Sequence, residues 1–263
     1  MKFVALLSGG KDSCYNVMKC QEYGHDLVCL ANLLPPAAEG LAGEELNSFM
    51  YQSAAHSAIP CMAECFGVPL IRREIRGKAL VQTLDYSDTE EDEVEDLYHL
   101  LKEVRNAFPP EKYGPLGVSC GTIVSTYQRL RVEAVCARED IQMTPLSYLW
   151  QRDRAELLTE LCAPYNANAD ENNNEKEKDP SPRVEALLVK VAGAGLEPYK
   201  HLNKTLSQLY PALQRLHERF GLDLCGEGGE YETLVLDCHA FRRTGKRLLI
   251  EETAVLEDDE DCR

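Results

Sequence analysis

The sequence predicts an α/β protein: a parallel-sheet domain over residues 1–143 and a smaller α+β domain over 144–263. Three observations carry this reading. Apolar runs at 2–7 and 27–33 flank a helical pattern at 12–23, and a strand–helix–strand unit of that length closes with its strands parallel. Runs at 69–75 and 117–119 continue the alternation of strand and helix. Beyond residue 183, a strand, a long helix and a second strand follow one another as a separate unit.

The elements follow in order. The first strand, 2–7, leads through a glycine turn into the helix at 12–23, with Cys14, Val17, Met18 and Gln21 near one face and Gly24 stopping it. Pro35 and Pro36 end the second strand. A loop rich in Ala, Gly and Glu covers 37–47, and 49–66 reads as a helix in which Gln52 and His56 share a face. Strand 69–75 follows. Ser87 and Glu90 form a capping box that starts a helix, with Val94, Leu97, Tyr98, Leu101 and Val104 as its stripe and the acidic run solvating its start. The short strand at 117–119 ends in a glycine turn at Gly121, and a helix is expected from Thr122 to 138, where Arg129 and Glu133 are spaced as an ordinary ion pair. The stretch 145–150 leaves the sheet, and 154–161 is a short helix. Residues 164–183, rich in Asn, Glu, Lys and Pro, read as a flexible insertion with too little apolar surface to offset ordering. Strand 184–191, a helix at 204–220 interrupted or kinked by Pro211, strand 234–237 and a frayed acidic tail complete the chain.

Composition bounds the function. The net charge is −16, with eight carboxylates and no base at 85–96 and seven carboxylates at 251–261. That balance argues against a direct nucleic-acid partner, which needs basic stripes to release counterions. Arg72, Arg73 and Arg76, like Arg242, Arg243, Lys246 and Arg247, read as solvated surface. The eleven cysteines stand in largely apolar contexts without any Cys-x-x-Cys, and read as reduced thiols rather than zinc ligands. No apolar run reaches the ~20 residues needed to span a bilayer, and no signal pattern precedes the first strand. The expectation is a cytoplasmic protein with no membrane partner.

Two stretches carry chemistry. Ser8-Gly9-Gly10-Lys11-Asp12-Ser13 places a glycine turn between a buried strand and a helix N-terminus. Unpartnered helix-end amides and the helix dipole make such a turn an anion site. Lys11 adds a cation, Ser8 and Ser13 add hydroxyls, and Asp12 can face a metal-bound water. The spacing is neither the P-loop nor the dinucleotide fingerprint. The second stretch, Cys225-Gly226-Glu227-Gly228-Gly229-Glu230-Tyr231-Glu232-Thr233, interleaves glycines with carboxylates beside a strand. Composition alone leaves it open between an exposed acidic turn and a site for a cation or substrate amine. Gln52 and His56, by themselves, read first as plain helix surface or a satisfied core histidine.

The first stretch resembles the pyrophosphatase loop of the N-type ATP pyrophosphatases, whose nucleotide domain is a Rossmann-like, HUP-like parallel sheet. It is joined by Met50-Tyr51-Gln52, Gly117-Val118-Ser119, Tyr127-Gln128-Arg129 with Arg131 and Glu133, Leu149-Trp150-Gln151-Arg152, Lys200-His201-Leu202 with Lys204-Thr205-Leu206, and the acidic glycine stretch. In that order they resemble the diphthine–ammonia ligase family over nearly the whole chain.

The resemblance implies the last step of diphthamide synthesis on translation elongation factor 2. The diphthine carboxylate attacks the α-phosphate of ATP, pyrophosphate leaves, and ammonium supplies the nitrogen that displaces AMP from the acyl-adenylate. It implies ATP and Mg²⁺ as cofactors, and a homodimer is compatible with it. Residue by residue, Gly9, Gly10 and the amides of Lys11 to Ser13 bind phosphates, Ser8 and Lys11 neutralise charge on pyrophosphate, and Asp12 orients Mg²⁺-bound water. Ala31, Asn32, Leu33 and Gly117 frame the adenosine. Glu227, Glu230 and Glu232, with Gly228 and Gly229 between them, hold ammonium or the substrate's quaternary ammonium. Tyr231 offers it a cation–π face. Tyr51, Gln52 and His56 are further substrate contacts. Residue 2 is Lys, so no N-terminal cysteine nucleophile for a glutaminase is present. Adenylation of a tRNA or a small acid, or ATP binding without catalysis, stays open on the residues alone.

Overall fold

The computed structural model describes residues 1–36, 50, 54–164 and 181–256. Five strands form one parallel sheet: β1 (Lys2–Leu6), β2 (Asp26–Leu34), β3 (Leu70–Glu74), β4 (Leu116–Ser119) and β5 (Thr144–Leu146). Their order is β3-β2-β1-β4-β5, a Rossmann-like arrangement. Chain order reverses between β1 and β4, and a ligand crevice opens beyond the strand ends at such a point. The helices between the strands are α1 (Lys11–Glu22), α2 (Ile59–Phe66), α3 (Glu93–Ala107), the single turn α4 (Pro110–Tyr113) and α5 (Thr126–Cys136). Then come α6 (Arg154–Cys162), β6 (Val184–Val191), α7 (Pro198–His201), α8 (Leu206–Phe220) and β7 (Tyr231–Cys238). Strands β6 and β7 pair antiparallel as a separate two-stranded sheet.

Two apolar cores lie on opposite faces of the parallel sheet. One joins β1, β2 and β4 to α3 and α5 through Val4, Ala31, Leu97, Leu101, Val118 and Val135. The other runs from Phe3, Leu7 and Val17 to Leu158, Ala186, Leu213, Val235 and Phe241. The β6–β7 unit thus shares its core with the parallel sheet. Helix α1 is sandwiched between them, so Tyr15, Asn16 and Cys20 are buried along with Cys14, Val17 and Met18, while Gln21, expected on the buried face, is exposed. Asn16 ties the layers together: its Nδ2 donates to Ser119 Oγ and to the Leu146 carbonyl, both at 2.7 Å, and its Oδ1 accepts from the Tyr148 amide.

Several boundaries differ from the sequence reading. The helix expected over 49–66 is described only as a short 3-10 turn at 56–58 followed by α2, and Ala55 has a φ of 57°, which no continuous helix tolerates. The loop at 37–47 and nearly all of the 164–183 insertion lie outside the described residues, as does the tail from 257. The capping box at Ser87 and Glu90 does not form. Glu91 turns left-handed with a φ of 67°, and Asp92 caps α3 by accepting from the Val94 amide at 2.9 Å. Nor is the acidic run simply solvated: Asp92, Glu93 and Asp96 are buried. Asp92 also accepts the amides of Leu80 and Val81, and Asp96 those of Arg76 and Gly77. Helix α5 starts at Thr126, after the cap Ser125, rather than at Thr122. Pro145 lies within β5 instead of leaving the sheet, at an edge position where its missing N–H costs no ladder bond. Helix α8 runs through Pro211 uninterrupted, and Thr205 and Gln208 form its capping box.

The ten described cysteines are free thiols, nine of them wholly or partly buried. Burial pushes the pKa of Cys29, Cys136 and Cys238 up to about 12, so they stay protonated and act as small apolar groups. No helix of the described residues is long and apolar enough to cross a membrane.

Candidate active site

Between β1 and α1 the chain makes the tight turn that the glycines foretold. Gly9 has a φ of +89°, which favours glycine, and a methyl there would press on Ile59 and Met62 of α2 at 3.0 and 3.3 Å. Its carbonyl accepts from the Val235 amide of β7 at 2.9 Å. Gly9 and Gly10 therefore form the back of the turn, not its open side. Inside the turn, Ser13 Oγ donates to the Gly10 carbonyl at 3.0 Å, and Ser8 Oγ donates to Ser13 Oγ at 3.2 Å.

The first helical amide goes elsewhere. Lys11 N–H donates to Thr233 Oγ1 of β7 at 3.0 Å. This corrects the expectation that all amides from Lys11 to Ser13 face a phosphate: the helix-end donors left for that purpose belong to Asp12 and Ser13. Lys11 is 4 % exposed, and its side chain donates to Asp12 Oδ2 at 2.8 Å and to the Cys225 carbonyl. Burial opposes its charge, but Asp12, through its charge and its hydrogen bond, holds the ammonium's pKa above its ordinary value. Burial also raises the pKa of Asp12, which Lys11 offsets only in part. Asp12 Oδ1 is buried without a hydrogen-bond partner.

The acidic glycine stretch folds against this turn, although more than two hundred residues separate them. Residues 231–233 belong to β7, and 225–229 form the loop before it. Glu227 Oε2 accepts from the Val124 amide at 3.0 Å, joining this loop to the β4–α5 connection. Burial first, then Asp12, raises the Glu227 pKa. Glu230 turns the other way, its Oε1 accepting from the Asp223 amide at 2.9 Å. Tyr231 is buried, with its hydroxyl on the Leu224 carbonyl, and Lys11 Nζ sits 5.2 Å from its ring centroid. The cation over Tyr231 is thus Lys11, not a substrate ammonium as the resemblance implied.

A cavity of about 550 Å³ lies among these elements. One end is polar, lined by Ser8, Lys11, Asp12, Ser13, Glu227 and Thr233. The other is apolar, lined by Leu6, Leu33, Met50, Leu97, Leu100 and Val132. A site with a charged end and an apolar end suits a ligand that is anionic at one end and flat and apolar at the other. Of the expected site residues, Ala31, Asn32, Leu33, Gly229, Tyr231 and Glu232 also line it. Gly9, Gly10, Gly117, Gly228, Glu230 and His56 do not. Gly117 lies inside β4, where a methyl would strike Leu146 at 2.5 Å, so its smallness serves strand packing. The His56 carbonyl instead accepts from Arg72. Tyr51 and Gln52 lie outside the described residues.

The glycine turn at Gly121 reads from the sequence as a place where the backbone can approach a ligand, but sequence reasoning gave Cys120, Thr122 and Ser125 no role there. Cys120, Gly121, Thr122 and Ser125 line the cavity with Tyr127 and Gln128 of α5. A Cβ on Gly121 would fall 2.6 Å from the Asp12–Ser13 backbone, so glycine is what lets the two loops touch. The readable signal was Ser125, three residues before Gln128 and able to cap α5. Thr233, at the end of the acidic stretch, also went without a role. For a divalent cation, the buried and unpartnered Asp12 Oδ1, in the turn between β1 and α1, is a fitting oxygen ligand.

Comparison with known proteins adds an independent finding. The family model of the diphthamide synthase N-terminal domain matches residues 1–143, and that of the diphthamide synthase C-terminal domain matches 180–258. A diphthine–ammonia ligase of Danio rerio is 45 % identical over 261 residues, covering 98 % of this chain and 91 % of that protein. One of Homo sapiens is 45 % identical over 256 residues, covering 97 % and 85 %. That of Schizosaccharomyces pombe is 44 % identical over 257 residues, which are 98 % of this chain but only 37 % of the longer yeast protein.

Proposed function

The chain belongs to the diphthamide synthase family, and we propose that it is a diphthine–ammonia ligase, converting diphthine on elongation factor 2 to diphthamide with ATP and ammonium. The observation that carries this reading is the joining of the phosphate-type turn and the acidic loop around one cavity, through Lys11 to Thr233 and Cys225. Activation of an acid by ATP and delivery of an amine to it need those two chemistries within one ligand's length of each other.

A carboxylate is a poor acyl donor because oxide would have to leave. Its oxygen attacks the α-phosphorus of ATP, the α–β bridging bond breaks, and pyrophosphate departs with that electron pair. Ammonia then attacks the acyl carbon of the adenylate, AMP leaves, and one proton is released. The chain's work is to position the reactants and neutralise developing charge. Ser8, Ser13, Lys11 and the amides of Asp12 and Ser13 receive the pyrophosphate. Ala31, Asn32 and Leu33 border the adenosine, with the apolar end around Leu97, Leu100 and Val132 taking the base. Glu227 and Glu232 face the ammonium or the quaternary ammonium of diphthine, and Glu230 holds the loop in shape. Asp12 Oδ1 would hold Mg²⁺, which supplies charge neutralisation on the phosphates. The substrate belongs to the translation machinery, which puts the reaction in the cytoplasm. The acidic net charge favours a protein partner over nucleic acid, and light scattering during gel filtration tests the homodimer.

The decisive assay incubates the protein with ATP, ammonium and diphthine-bearing elongation factor 2. AMP and amide should appear in equal amounts, and neither should form if any one reactant is omitted. No AMP above background with all three present would overturn the assignment.

A further inference from the structure

Arg72 sits on β3, in a run of basic residues that reads as solvated surface, yet it points into the fold. Its Nε donates to Asn32 Oδ1 at 2.8 Å, and its Nη2 donates to the His56 carbonyl at 3.1 Å. Asn32, at the end of β2, is 4 % exposed and lines the cavity. Its Nδ2 donates to the Leu7 carbonyl at 2.9 Å, the last residue before the phosphate-type turn.

These contacts fix which way the Asn32 amide faces. A guanidinium only donates, so the side-chain oxygen must face Arg72. A backbone carbonyl only accepts, so the nitrogen must face Leu7. Nδ2 keeps one further N–H and Oδ1 one further lone pair, and the two contacts hold which atom stands where. An adenine edge presents an acceptor beside an amino donor, and it pairs with an amide in that way. The Watson–Crick edge of guanine presents the reverse of adenine's, a carbonyl acceptor beside a ring N–H donor, and would need the amide flipped. Flipping here would aim an NH₂ at a guanidinium and an oxygen at a carbonyl oxygen.

We propose that Arg72 is a positioning residue for nucleotide choice: by locking the Asn32 amide, it makes the site accept ATP and refuse GTP. The proposal rests on the ATP reading of the cavity. Arg72 itself touches no nucleotide; it acts through Asn32.

The test compares wild type with Arg72→Met and Arg72→Lys in the full ligase reaction, using ATP and GTP. The readout is the ratio of kcat/KM for the two nucleotides, which does not depend on the fraction of enzyme that is folded. Arg72→Met should lower the ATP preference about tenfold or more. Arg72→Lys, which keeps the charge and a donor but loses the planar fork that reaches both acceptors, should lower it less. Nucleotide-induced shifts in Tm, measured without the protein substrate, should show the same loss of discrimination. If both variants keep the wild-type ratio, whatever their Tm, the lock is overturned and Arg72 is structural only. If the wild type turns over with neither nucleotide, the ATP reading falls and the lock falls with it.

Discussion

At the residue scale the site concentrates charge in a buried place. Lys11 and Asp12 share one hydrogen bond, and Lys11 also supports the 225 loop through the Cys225 carbonyl. Lys11→Ala should therefore do two things: abolish amide formation in the ligase assay, and lower stability by about 1–3 kcal/mol because Asp12 loses its counter-ion. A chemical denaturation curve separates the two, and a Lys11→Ala enzyme with wild-type turnover would remove Lys11 from the mechanism. Glu227 makes a pH prediction. Its pKa is raised in the folded state, so the native protein holds that proton more tightly than the unfolded chain does. Its contribution to stability is full below the ordinary carboxylate value and is lost as pH rises through the raised one. Glu227→Gln should then raise Tm at pH 7–8 more than at pH 4–5, while slowing the amidation. Glu230 should behave differently. Gln at this position still accepts from the Asp223 amide, so Glu230→Gln should stay close to wild type, whereas Glu230→Ala should cost about 1 kcal/mol and loosen the loop. Equal losses of activity from both Gln variants would contradict this division of labour.

At the element scale, local pattern and tertiary partner compete. Strands β1, β2, β3 and β6 and helices α1 and α6 stand within a residue or two of where periodicity puts them. Helix α3 does not start where its capping box suggests, because Asp92 does more than a cap can. Its carboxylate takes the Val94 amide and also the amides of Leu80 and Val81 from a distant loop. Asp92→Ala should cost about 3 kcal/mol, more than an ordinary cap, since one buried and two half-buried amides lose their acceptor. Urea unfolding measures it, and a loss under 1 kcal/mol would mean that water replaces the carboxylate. Arg131 is a second case. It reads as one polar residue on a helix, but its guanidinium is buried against the Tyr127 ring and donates to the carbonyls of Val81 and Thr83. Nothing in residues 122–138 announces that, because the acceptors lie some fifty residues earlier.

At the scale of the whole molecule, the β6–β7 unit closes the site as well as the core. Helix α1 presents apolar and polar groups to both sides, and the core running from Phe3 to Phe241 crosses the junction at 144. Thermal unfolding should therefore be one transition, with calorimetric and van't Hoff enthalpies that agree. Two separated transitions would show that the halves fold independently. ATP should raise that single Tm, because the cavity proposed for it is lined from both halves.

The order of strands and helices, the phosphate-type turn and the acidic loop were legible in the chain, since each depends on residues within about fifteen positions of one another. Glycine spacing, apolar period and the alternation of acid with glycine are local facts, and their physics is local. What only the tertiary structure decided is how those pieces meet. It sets the Lys11 amide on Thr233, turns Glu227 toward Val124 and Glu230 away, spends the face of Tyr231 on Lys11, and draws Arg72 inward to Asn32. A hydrogen bond across a hundred or two hundred residues leaves no period in the sequence, because its partner is chosen by the packing of the sheet and not by the neighbours along the chain.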